Sequence, residues 1–174
     1  MRSTLSTHDT TTPELILEHW HDVPRDCGQS RPGVGHENPR VMDLSQRATT
    51  PDQQRIEDAL EPLLGAHSRL LHVGVGNSSL ALRFGARVAE IVGLTLSEDE
   101  CELANSLQLA NYRTSILNKY AAEISSVPGV FDIIVDNNPA SFGCCMKHFQ
   151  VMLAGYAALL RPGGLLVTDR QGMN

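Results

Sequence analysis

The feature that most restricts what this chain can fold into is an alternation of short apolar runs with helix-patterned stretches, sustained from residue 69 to residue 169. Residues 69–75 form an apolar run that stops at glycines. Residues 79–84 open a helix, and residues 90–96 form a second run. A helix is predicted over 99–111, with Leu103, Leu107 and Ala110 on one face, followed by a short third strand over 114–117. Residues 131–135 are almost wholly apolar, as a strand covered on both faces must be. A long helix over 142–160 follows, then a Pro162-Gly163-Gly164 turn and a fifth strand over 165–169. Strands separated by helices imply parallel pairing through right-handed crossovers. The expected fold is α/β, an open and mainly parallel sheet of about five strands with helices on both faces.

The part before residue 69 has a different pattern. Residues 1–12 are polar and read as a disordered start. Thr12 and Pro13 open a short helix over 13–20. Residues 21–42 hold Pro24, Pro32 and Pro39 with Gly28, Gly33 and Gly35, which makes them a loop long enough to fold over a site. Thr50, Pro51 and Asp52 then start a helix running to about residue 64, with Ile56, Leu60, Leu63 and Leu64 as its apolar face. The chain thus divides into an N-terminal helix and loop segment, residues 1–50, as a candidate cover, and a ligand-binding domain, residues 51–174.

A net charge of −6 and no basic stripe argue against a nucleic-acid binder, which needs clustered Lys and Arg for phosphate contacts. No segment approaches the ~20 apolar residues that cross a bilayer. The polar N-terminus lacks the apolar stretch of a secretory signal. Cys27, Cys101, Cys144 and Cys145 read as reduced thiols of a cytoplasmic protein. Adjacent Cys144 and Cys145 match neither a zinc-ligand spacing nor a disulfide framework, and no metal is expected.

Open parallel sheets bind ligands beyond the carboxyl ends of their strands. The first strand ends in Gly74-Val75-Gly76-Asn77-Ser78, where glycines admit a ligand close to the backbone and the next helix offers free N–H donors. Leu70-Leu71-His72-Val73-Gly74-Val75-Gly76-Asn77-Ser78 resembles the first motif of the class I S-adenosylmethionine (SAM)-dependent methyltransferases. Ile91-Val92-Gly93-Leu94-Thr95-Leu96-Ser97 and Phe131-Asp132-Ile133-Ile134-Val135-Asp136 are similar to that family's second and fourth strands. Leu159-Leu160-Arg161-Pro162-Gly163-Gly164-Leu165-Leu166-Val167 resembles its fifth-strand motif. The resemblance covers residues 64–168 and implies a Rossmann-like, C-terminally shortened methyltransferase fold with SAM as cofactor.

It also implies a set of site residues. Gly74, Gly76, Asn77 and Ser78 take the cofactor loop, and His72 stands where the family usually has an acid. Thr95 and Leu96 end the second strand where an acid usually grips the ribose. Thr95-Leu96-Ser97 is similar to the cyclopropane-fatty-acid and mycolic-acid branch, in which a Gln completes the grip, and Glu100 stands at that place. A carboxylate can accept both ribose hydroxyls, so Thr95 and Glu100 are expected at the ribose. Tyr120 and Ala121 fall where the family caps the adenine. Asp136 and Asn137 end the fourth strand on the side where the methyl group leaves. Asp136 and His148 are the candidate catalytic bases, with His19, His21 and His36 as further candidates.

Methyl transfer is largely a matter of positioning. The expected activity is methylation of a small molecule, since the chain is short, acidic and without an appended recognition domain. Two alternatives stay open: attack on a non-methyl carbon of SAM, as in aminocarboxypropyl transfer or cyclisation, and a non-catalytic SAM-binding subunit. The fifth strand is expected at the sheet edge, where a homodimer contact would cover it.

Overall fold

The computed structural model describes residues 23–30, 43–140 and 143–169. The helix expected over 13–20, most of the loop over 21–42, and His19, Trp20, His21 and His36 lie outside the described residues. So do the residues after 169.

Five strands form one parallel sheet: β1 (Arg69–Val73), β2 (Glu90–Thr95), β3 (Tyr112–Ile116), β4 (Phe131–Asp136) and β5 (Leu160–Val167), in the order β3-β2-β1-β4-β5. The helices are α1 (Pro51–Leu60), α2 (Ser79–Phe84), α3 (Glu98–Ser106) and α4 (Met146–Leu159). The order reverses at β1, which pairs β2 on one side and β4 on the other. This is where a crevice opens in such sheets.

Period-two alternation along the strands separates two cores. Leu70, Ile91, Ile133 and Val135 pack with Ile56 and Leu60 of α1 and with Leu80, Ala81 and Phe84 of α2. Leu71, Val73, Val92, Leu94 and Ile134 face the other way, onto Phe149, Met152, Tyr156 and Leu159 of α4 and onto Tyr120 and Ile124. Helices therefore cover both faces, as the apolar strands require.

Several element bounds depart from the sequence expectation: α1 ends at Leu60, where the chain tightens into a single turn over Glu61–Leu63 and leaves Leu63 exposed, and β3 begins at Tyr112. α3 ends at Ser106, not residue 111, because Gln108 takes a left-handed φ of 51° after two tightened bonds, Leu107 N–H to Ala104 and Gln108 N–H to Asn105. Its buried residues are Glu100 and Ala104, whereas Ala110 is exposed. α4 starts at Met146, later than expected, because Cys145 is its N-cap and its sulfur accepts the His148 N–H. The Pro162-Gly163-Gly164 turn does not precede β5 but interrupts its pairing. Phe131 pairs with Leu160 and Ile133 with Leu165, so three extra residues bulge outward, with Gly163 at φ 77°. β5 is the sheet edge, and Leu165 and Leu166 are exposed there.

Candidate functional site

A cavity of about 390 Å³ opens at the carboxyl ends of β1, β2 and β4. Its floor is the β1–α2 turn. Gly74 sits there at φ 79°, and a Cβ built on it meets nothing within 4 Å, so a side chain at this position would project into open space. His72 lines the cavity from within β1, 1% exposed, with neither ring nitrogen hydrogen-bonded to any of the described residues. Burial pushes its pKa down to about 4, so the ring is neutral near pH 7 and carries one donor and one acceptor.

Glu100 closes one wall. Its carboxylate accepts the Thr95 hydroxyl at 2.6 Å, the Gly76 N–H at 3.2 Å and the Leu44 N–H at 3.0 Å. One buried carboxylate thereby joins the end of β2, the β1–α2 turn and the segment before α1. Residues 44, 47, 48, 49 and 50 also line the cavity, so the end of the N-terminal segment forms part of the wall. Asn77 fastens this wall further by donating to the Arg47 carbonyl at 2.9 Å and the Thr49 hydroxyl at 3.0 Å.

The opposite wall is built on Asp136. Lys119 donates to both of its oxygens at 3.0 Å, the Tyr156 hydroxyl donates at 2.7 Å, and the Asn138 N–H at 3.1 Å. Burial lowers the Lys119 pKa against the opposing pull of Asp136. Burial raises the Tyr156 pKa well above its usual value, with Asp136 adding to the effect. Asn137 donates to Asp52 at the start of α1, while its own carbonyl oxygen is buried without a partner. Burial works against the Asp52 carboxylate, but hydrogen bonds from Thr50 and Asn137 outweigh it and hold the pKa below the usual value.

Among solved structures, the chain resembles the N-methyltransferase NodS from Bradyrhizobium japonicum WM9 in complex with S-adenosyl-L-homocysteine. The two are 16% identical, with a TM-score of 0.57, over 72% of this chain and 65% of that one. This is a class I methyltransferase fold. A SAM-dependent methyltransferase from Thiobacillus denitrificans, also bound to S-adenosyl-L-homocysteine, matches at 16% identity and TM-score 0.53 over 76% of this chain and 56% of that one. The cyclase SpnF matches at 20% identity and TM-score 0.53, over 89% of this chain and 55% of that one. The chain thus spans roughly half to two thirds of the length of these structures. No protein-family profile and no curated protein sequence matches it.

On this methyltransferase fold most of the residues expected from sequence meet at the cavity: His72, Gly74, Gly76, Asn77, Thr95, Leu96, Glu100, Tyr120, Asp136 and Asn137 all line it. Ser78, Ala121 and His148 are not among its lining residues. Ser78 is buried, with φ 60° and its hydroxyl 3.1 Å from the Tyr112 hydroxyl, so it shapes the turn from behind. His148 sits on α4 among Cys27, Cys144 and Cys145, because the helix starts later than the sequence pattern implies. The geometry also narrows the ribose grip expected of Thr95 and Glu100. The Thr95 hydroxyl already donates to Glu100 and accepts from the Ser97 N–H at 3.0 Å. Glu100 has spent three of about four acceptor positions on protein donors, which leaves room for one hydroxyl rather than two.

Sequence reasoning missed Lys119, Asp52 and Tyr156. Lys119 had a weak signal, since it precedes the tyrosine expected at the adenine. Tyr156 lies 20 positions from Asp136, and Asp52 lies 85 from Asn137, so only folding reveals those pairings.

Proposed function

We propose that the cavity binds SAM and that the chain is a SAM-dependent methyltransferase of small molecules, working in the cytoplasm. The observation that carries this reading is His72, a buried neutral ring with two unpartnered nitrogens beside an open glycine cradle. Leaving such atoms without partners is costly unless a ligand supplies them. An amino acid end, with ammonium donors and carboxylate acceptors, meets both needs of a neutral imidazole. Gly74 and Gly76 would let that end approach the backbone, and Glu100 would take one ribose hydroxyl. Tyr120, its hydroxyl donating to the Pro139 carbonyl at 2.9 Å, would hold one side of the base pocket.

Bound SAM supplies an electrophilic methyl group on a sulfonium. What the chain adds is placement and exclusion of water. Asp52, Asn137 and Asn138 provide the polar surface beyond β4 at which an acceptor would be oriented. Asp136 is already bound by Lys119 and Tyr156, so as a base it must first surrender an ion pair. We therefore assign Asp136 mainly to shaping the acceptor wall, and acceptors that need no strong base suit this site best. Among the described residues only Arg47 and Lys119 bring a positive charge to the cavity lining, which favours a small acceptor over a nucleic acid.

Calorimetry with SAM and S-adenosylhomocysteine tests the reading. Binding by wild type and its loss in Gly74→Val are expected, because valine is strained at φ 79° and its side chain would fill the cradle. No heat with either ligand at millimolar concentration would overturn it. Product analysis then fixes the chemistry: S-adenosylhomocysteine marks methyl transfer, methylthioadenosine marks attack at another carbon, and binding without turnover marks a non-catalytic SAM-binding subunit.

A further inference from the structure

At the start of α4, outside the lining of the cavity, four donor side chains converge from distant parts of the chain. His148 Nδ1 lies 3.4 Å from Cys27 Sγ, 3.1 Å from Cys144 Sγ and 3.2 Å from Cys145 Sγ. Cys27 and Cys144 sulfurs are 3.6 Å apart, and all four donor atoms lie within 4.8 Å of one another. Cys144, Cys145 and His148 are buried.

Hydrogen bonding does not account for this packing. One ring nitrogen carries either one proton or one lone pair, and here it faces three sulfurs at near-contact distance. A tetrahedral centre does account for it. Zn–S bonds of about 2.3 Å and Zn–N bonds of about 2.0–2.1 Å require donors about 3.5–3.8 Å apart, close to the separations found here. We propose that Cys27, Cys144, Cys145 and His148 form a structural Cys3His site for a zinc ion. The site does not depend on whether the cavity binds SAM. The earlier expectation of no metal rested on local spacing. Cys144 and Cys145 alone match no zinc pattern, but Cys27 lies 117 residues before Cys144 and joins them only in the folded chain.

Three further contacts bring Cys27 to this place. The Met146 and Lys147 N–H groups donate to the Pro24 and Arg25 carbonyls, each at 3.0 Å, and Lys147 pairs with Asp26 at 2.8 Å. Residues 23–30 are thereby seated against the first turn of α4. Zn2+ with three thiolates carries a net charge of −1, which the positive end of α4 favours. The His148 N–H already points at the Cys145 sulfur, 3.5 Å away, as an outer-shell donor to a thiolate would. Four protein donors leave no open coordination position, which makes this a structural clamp and not a catalytic centre. Zinc binding releases the three thiol protons and ties the segment before the domain to the loop that follows Asp136.

The test uses the full chain, purified under reducing conditions without added chelator. Elemental analysis should find one zinc per chain. Replacement by Co2+ should give the intense visible absorption of a tetrahedral thiolate site. Cys27→Ser should weaken zinc binding by more than the roughly 10–100-fold that an outer-shell loss costs, while keeping a native circular dichroism spectrum. Cys101→Ser, whose sulfur lies apart from the cluster and 3.3 Å from the Thr114 hydroxyl, should bind zinc as wild type does. A folded, fully reduced chain that takes up neither zinc nor Co2+ would overturn the proposal. So would zinc binding that survives Cys27→Ser unchanged, or a Cys27–Cys144 disulfide that forms in preference to metal binding when zinc is supplied.

Discussion

Two buried carboxylates frame the cavity, and they are satisfied in different ways. Among the described residues, Glu100 receives only neutral donors, two backbone N–H groups and a hydroxyl, drawn from three separate segments. Asp136 is paired with a partly buried cation and capped by a tyrosine from α4. The Glu100 wall is thus a set of loops gathered around an acceptor, and its energy lies in hydrogen bonds. The far wall is an ion pair largely screened from water, whose two halves depend on each other. Losing one carboxylate should loosen a loop assembly. Losing the other should leave a charge stranded.

The largest expected effect follows from that difference. Asp136→Ala leaves the partly buried Lys119 ammonium without its counter-charge and should cost about 3–5 kcal/mol in urea unfolding. The double variant Asp136→Ala with Lys119→Met should recover a substantial part of it, because the stranded charge is gone. A double variant no more stable than the single one would show that the far wall does not rest on charge pairing.

Glu100→Ala should cost less in stability, about 2–3 kcal/mol, since it orphans two N–H groups and a hydroxyl but no charge. It should also weaken SAM binding by tens-fold, about 1.5–3 kcal/mol, through the Gly76 turn and the ribose. An unchanged dissociation constant by calorimetry would break the link between Glu100 and SAM binding.

His72 contributes through pH. Its folded pKa of about 4 lies below the ordinary 6.5, so both states are neutral above pH 6.5 and its stability contribution is complete there. As pH falls from 6.5 toward 4 the unfolded chain takes up a proton that the folded chain refuses. Stability should then drop by about 1.4 kcal/mol per pH unit from this group. His72→Gln should show a shallower decline over the same window in urea titrations. Equal slopes would mean that the ring is not held neutral.

The smallest effect belongs to the sheet edge. We propose that a second copy pairs along residues 165–167 of β5, where Leu165 and Leu166 are exposed and these three residues carry no charge. Leu166→Lys should shift the light-scattering mass toward the monomer with a change in stability of about 0.5 kcal/mol or less. A wild-type mass that is monomeric at micromolar concentration would remove this proposal and leave the two-wall comparison untouched.

Much of this molecule was legible in one dimension, for a definite reason. The parallel sheet, the Gly74–Gly76 turn and the crevice beyond β1 follow from apolar period and glycine placement, which act over a few residues. His72, Thr95 and Asp136 line one cavity because strand ends converge on one edge of such a sheet. Helix ends were less legible. α3 stops where Gln108 turns left-handed, and α4 starts where Cys145 caps it, both decided by packing rather than by pattern.

What only the tertiary structure decided are the contacts between segments far apart in the chain. The resemblance led to the expectation of Glu100 at a ribose, but the fold spent most of its acceptor positions on the loops around it. It put Lys119 and Tyr156 on Asp136, joined Asn137 to Asp52, and brought Cys27 to Cys144, Cys145 and His148. The physical reason is that local pattern reports which face of an element is apolar, whereas polar partners are chosen by where buried groups finally meet. A buried donor or acceptor must be satisfied by whatever the fold places within about 3 Å, however distant that group is along the chain.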